Sequence, residues 1–138
     1  MAIPNGSGGY QVGDGNLNDP LIDAIPEPAV VTAAATLTAA QVLNGILILN
    51  TSLVTTNQAY TLPTVTDLEN VLINSDKVGT SFQFRVVNLG TSSGTATITT
   101  STGWTLTGSL TMAVPVTSGA TFIARKSGTG TWTLYRVA

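Results

Sequence analysis

From residue 80 onward the chain is a succession of short runs rich in β-branched and aromatic residues, each closed by a turn of Gly, Ser, Thr or Asn. This punctuation constrains the fold more than any other feature, because strands tolerate interruption every few residues and helices do not. Strands are expected over 81–88, 95–100, 104–107, 110–116, 120–125 and 131–137. In the first of these, Phe82, Phe84 and Val86 alternate with Gln83, Arg85 and Val87, the period of two that buries one face. The many Thr residues suit the role: their branched Cβ favours a pleated surface and their hydroxyls can pair across strands. Strands so short and regularly spaced predict an all-β fold, an antiparallel β-sandwich or jelly-roll. No repeat of fixed period points to a solenoid.

One or two short helices precede this region. Thr38-Ala39-Ala40-Gln41 has capping-box spacing, in which each end residue can satisfy the other's backbone N–H. It predicts a helix over 39–44 that stops at Gly45, a residue at ease in the left-handed conformation. Strands are expected over 46–50 and 58–62, the latter ending at Pro63. A second capping box, Thr66-Asp67-Leu68-Glu69, predicts a helix reaching about Ile73.

Residues 1–35 differ in composition. Pro4, Pro20, Pro26 and Pro28 fix φ and block helix, and Gly and Asn are frequent. The apolar residues Ile3, Tyr10, Val12, Leu17, Leu21, Ile22 and Ile25 are too many for a solvated linker and too irregular for a helix or strand. This segment is expected to be an extended N-terminal arm that orders against another surface, these seven residues making the contact with a sister subunit or a larger assembly. The remaining 36–138 form the β-domain, since 138 residues suffice for one ordinary core and not two.

Charge is scarce. Only 9% of residues are charged, against about 25% in ordinary soluble domains, as suits a chain that spends its life packed into an assembly. The acidic Asp14, Asp19, Asp23 and Glu27 lie in the arm, no Lys or Arg precedes Lys77, and Arg125, Lys126 and Arg136 lie near the end. That asymmetry can help an arm meet a neighbour's body, although screening over about 8–10 Å limits its reach. No basic patch with interleaved aromatics suggests nucleic acid. The opening residues have neither the basic nor the apolar region of a secretory signal. The longest apolar run, 45–49, is far short of the ~20 residues of a membrane span, so cytoplasmic synthesis is expected.

Without cysteine there are no disulfides or thiolate nucleophiles; without histidine, Ser-His-Asp and Cys-His mechanisms are excluded. Asp67, Glu69 and Asp76 are the one candidate acid–base group, but Glu69 is accounted for by the expected capping box and Asp67 by a helix N-terminus. Asp14-Gly15-Asn16-Leu17-Asn18 copies the start of a calcium loop, then fails with Asp19 at the position of the loop's Gly and Ile25 at that of its bidentate Glu. Gly6-Ser7-Gly8-Gly9 lacks the Lys-Ser/Thr pair of a phosphate loop. The sequons at Asn5 and Asn50 have no meaning without secretion. Trp104, Trp132, Tyr60, Tyr135 and Phe122 can be read as a sugar platform, but at strand spacing they fit a core or interface better. No enzyme activity, cofactor, metal or small-molecule substrate is expected.

Several segments together resemble the small decoration, or cement, proteins of tailed phages, particularly those infecting marine cyanobacteria: the Gly-rich opening 1–19, then 37–45, 60–64, 78–84, 122–125 and 131–136. The resemblance covers most of the chain and carries over no site residue. It implies a non-enzymatic virion protein on the capsid exterior. Such a protein binds the expanded shell, commonly as a homotrimer near threefold or quasi-threefold points, and holds neighbouring major capsid proteins together. A trimeric head or tail fibre, or a host-adhesion module binding surface glycans through loops 90–94 and 127–130, is the alternative.

Overall fold

The computed structural model describes residues 24–53, 56–91, 93–107 and 112–138. Among the described residues ten strands form two sheets: β1 (Val30–Val31), β2 (Ala35–Thr36), β3 (Ile46–Leu49), β4 (Gln58–Thr61), β5 (Ser81–Asn88), β6 (Ala96–Thr99), β7 (Trp104–Thr107), β8 (Ala113–Val114), β9 (Ser118–Gly128) and β10 (Thr131–Arg136). Helix α1 (Ala39–Leu43) lies between β2 and β3, and α2 (Val65–Val71) between β4 and β5. The larger sheet runs β1-β3-β5-β9-β10-β7 and the smaller β2-β4-β6-β8.

The β-rich class agrees with the sequence; the antiparallel pairing does not. Both sheets are mixed, with β1/β3, β3/β5, β7/β10, β2/β4 and β4/β6 parallel, and β5/β9, β9/β10 and β6/β8 antiparallel. Successive strands from β1 to β6 alternate between the sheets, so the chain winds: a strand in the larger sheet, one in the smaller, then in the first two windings a helix leading back. Parallel neighbours need such a crossover, whereas antiparallel ones can be joined by a hairpin. No fixed period is legible because the windings differ in length. Ala35 lies beside Tyr60 and Tyr60 beside Ile98, and the second step is much the longer.

Residues 30–35, assigned from sequence to the end of the arm, thus pair with both sheets as β1 and, with Thr36, β2. Their Val, Ala and Thr side chains suit strands, but two-residue strands fall below what alternation can reveal. The expected strand over 110–116 is observed only at Ala113–Val114 among the described residues, and that over 120–125 extends to Ser118–Gly128.

The first helix forms as its cap dictates: Gln41 N–H donates to Thr38 Oγ1 (3.2 Å), Thr38 N–H donates to Gln41 Oε1 (2.8 Å), and Gly45 follows at φ +90°. The second begins earlier than expected. Thr64, not Thr66, is the N-cap; its Oγ1 accepts from Asp67 N–H (3.1 Å) and its hydroxyl donates to the Asp67 carboxylate (2.7 Å). Pro63 explains the shift, because it disfavours the helical conformation at Leu62 while leaving Thr64 extended, as a cap requires. Glu69 is thereby released from the cap.

A single hydrophobic cluster receives side chains from both sheets and both helices. Leu47, Phe84, Phe122 and Leu134 come from the larger sheet, Tyr60, Ile98 and Val114 from the smaller, and Val42 and Leu68 from the helices. Phe84 and Phe122 stack at 5.4 Å between centroids. Where the chain crosses between sheets, a buried polar knot joins three windings: Asn88 Oδ1 accepts from Gly90 N–H (3.0 Å), Asn88 Nδ2 donates to the Val114 carbonyl (3.1 Å), and the Thr51 hydroxyl lies 3.1 Å from Asn88 Oδ1 and 2.9 Å from the Gly94 carbonyl. Each such bond satisfies a group whose burial would otherwise be costly.

Candidate functional site

The alternation of β9 places Ala120, Phe122, Ala124 and Lys126 on one face, so a lysine points toward the core at the strand's end. Its side chain is 7% exposed. Lys126 Nζ donates to Glu69 Oε1 on α2 at 2.5 Å, and Trp132 Nε1, from the register partner of Lys126 on β10, donates to the same oxygen at 3.0 Å. Both donors favour the ionised carboxyl; the hydrogen bond from Lys126, then that from Trp132, hold the Glu69 pKa below its usual range. The cluster ties α2 to the larger sheet, which is a structural duty.

The candidate acid–base residues are not brought together as a site. Asp67 bonds to the Thr64 cap of α2, while Glu69, two positions on, is held by Lys126 and Trp132. Residues two apart on a helix do not share a face. Among the described residues there is no group of three or more His, Cys, Asp or Glu able to hold a metal ion, and no helix long and apolar enough to cross a membrane. The sugar platform fails on burial. Tyr60, Phe122 and Trp132 are fully buried, Trp104 nearly so, and only Tyr135 is partly accessible. Trp104 Nε1 donates to the Pro63 carbonyl (2.7 Å), whereas the buried hydroxyl of Tyr60 has no partner among the described residues and burial pushes its pKa up.

Of the seven arm residues, Ile25 is exposed, and Ile3, Tyr10, Val12, Leu17, Leu21 and Ile22 lie outside the described residues. So do the calcium-like and Gly-rich segments. The described end of the arm passes over α1, where Asn44 Nδ2 donates to the Pro26 carbonyl (3.2 Å) and Glu27 and Ala29 share a shallow groove with Ala40 and Gln41.

A surface that sequence reasoning did not single out follows α2. Val71, Ile73 and Val78 are 54%, 79% and 59% exposed within eight residues. Val71, Leu72, Ile73, Asn74, Ser75 and Thr80 line a mainly apolar groove of about 330 Å³. The groove exists because α2 ends at Val71, two residues sooner than the expected end at Ile73, leaving Ile73 outside the helix. The loop is held in shape by Ser75 Oγ donating to the Leu72 carbonyl (2.7 Å), Thr80 Oγ1 to the Lys77 carbonyl (2.8 Å) and Gly79 N–H to the Lys126 carbonyl (2.9 Å). The available signal was apolar residues among turn formers, Ile73-Asn74-Ser75-Asp76-Lys77-Val78. An ordered apolar concavity can bury another chain's side chains. Comparisons of the chain with family models, with curated proteins and with solved structures give no match.

Proposed function

We propose that this chain is a non-enzymatic structural protein of a virion, a decoration or cement protein on the outer surface of a tailed-phage head that stabilises contacts between major capsid proteins. The observation that carries this reading is the exposed apolar groove at residues 71–80 in a chain with only five basic and seven acidic residues. Sparse charge and an apolar concavity suit a surface covered by other chains. The resemblance of the segments quoted above supplies the virion setting, and a homotrimer is the assembly it favours.

Mechanistically, the β-body, which includes residues 30–35 as β1 and, with Thr36, β2, is a knob and residues 1–23 its tether. A ligand that binds only the mature shell stabilises it by mass action, and many weak sites multiply the effect. We read the two sheets as layers of a sandwich, supported by their shared core; the parallel ladders set it apart from an all-antiparallel jelly-roll.

The test is cosedimentation of purified full-length protein with expanded, undecorated shells. Saturable binding that weakens when residues 1–23 are removed is expected; no binding to any maturation state of the shell refutes the reading. A fibre or host-adhesion module is the second reading, favoured by the winding of β1–β6, the kind of path that elongated shafts repeat. Burial of the aromatic residues weighs against its glycan platform.

A further inference from the structure

We infer that the groove at residues 71–80 is the receptor for the N-terminal segment 1–23 of a second copy of this chain, so that subunits join arm to body. The inference deepens the cement reading and rests on its assignment of residues 1–23 as a tether.

Three observations fit this occupant. The first is apolar complementarity: the groove presents Val71, Leu72 and Ile73, and segment 1–23 carries Ile3, Tyr10, Val12, Leu17, Leu21 and Ile22. The second is charge. Segment 1–23 contains Asp14, Asp19 and Asp23 and no Lys or Arg. The loop that forms the groove contains Lys77, and Arg125 of β9 approaches that loop at Gly79, its guanidinium close enough to touch a Cβ built there (3.8 Å). Thr80, which lines the groove, is tied to the same strand through Lys126 N–H (2.8 Å). Asp76 is the one acidic residue in the loop, so the loop together with the neighbouring Arg125 is net basic. Ile73, in the same loop as Lys77, is the most exposed large apolar side chain among the described residues.

The third observation is reach. Twenty-three extended residues span up to roughly 75 Å, several times the ~10 Å separation of packed helices. The described chain starts on α1, and α1 contacts α2, whose end forms the groove. A segment of that length is long enough to reach a neighbouring copy, and a chain this poor in charge is suited to having its surface covered by copies of itself. Arm and groove are different patches, so the contact is heterologous and closes into a ring when the rotation permits.

The experiment places a photo-crosslinking amino acid at position 73 of the full-length chain, where exposure makes the replacement harmless to folding, and irradiates a mixture of isotopically light and heavy protein. The expected result is light–heavy crosslinks from position 73 to residues 1–23, reduced several-fold by Lys77→Glu together with Arg125→Glu and by excess synthetic peptide 1–23. Crosslinks confined to one chain, crosslinks to the body of another copy, or none at all overturn the inference. Shell cosedimentation of the same position-73 probe protein separates the two readings: shell binding without the crosslink leaves the cement reading and removes the groove's role, and the crosslink without shell binding does the reverse.

Discussion

Lys126 shows how one residue's environment is set by strand parity. Its position in the alternation of β9 turns it inward, and Glu69 with Trp132 makes that placement tolerable. Removing the acceptor by Glu69→Ala strands a buried ammonium and an indole N–H; we expect a loss of about 1–3 kcal/mol, moderated by the partial exposure of Glu69, in urea unfolding at neutral pH. The pH dependence has a definite sign. The Glu69 pKa is lower folded than its ordinary 4.5, so its contribution is complete above that value and is lost as pH falls through the lower folded value. Unfolding midpoints measured from pH 7 down to pH 3 should fall less steeply for Glu69→Gln than for the parent; equal slopes would show that the ion pair contributes nothing. The sequence contained all three residues, yet their meeting was not legible, because Glu69 also matched a capping box that the earlier cap at Thr64 displaces.

At the scale of elements, turns and caps were the most legible features, since they depend on neighbours in sequence. The cap at Thr38 and the stop at Gly45 form as local chemistry requires. Gly103 differs from Gly45 in a way the sequence conceals. Both have φ near +90°, but a Cβ at Gly45 meets open space, whereas one at Gly103 lies 2.7 Å from Val65 Cβ and 2.8 Å from the Gly130 carbonyl. Gly45→Ala should therefore cost about 1–2 kcal/mol, the backbone term alone. Gly103→Ala should cost on the order of 2–4 kcal/mol, with the steric overlap added. Equal denaturant midpoints for the two variants would refute the close packing of α2 on the β6–β7 turn. Strand pairing was less legible than strand existence. Short runs announce strands, but nothing in them distinguishes a neighbour joined by a hairpin from one reached by a winding.

For the whole molecule, the shared core makes the two sheets one cooperative unit. Phe84 is fully buried and stacks on Phe122 within a cluster that also holds Tyr60 and Ile98 of the other sheet. Phe84→Ala should cost about 3–5 kcal/mol, lowering the melting temperature while tryptophan fluorescence and circular dichroism still report one coincident transition. Two separate transitions would mean that the sheets fold independently. The candidate site belongs to this scale too: Val71, Ile73 and Lys77 are near in sequence, but Arg125 arrives from a strand far along the chain. The sequence by itself determined the β-rich class, the first helix with its cap and stop, and the side chains that alternate into the core, because these follow from the stereochemistry of neighbouring residues. Only the tertiary structure decided the parallel winding, the inward ion pair and the apolar groove beside basic residues, because these depend on which distant segments pack together, and windings of unequal length leave no period to read.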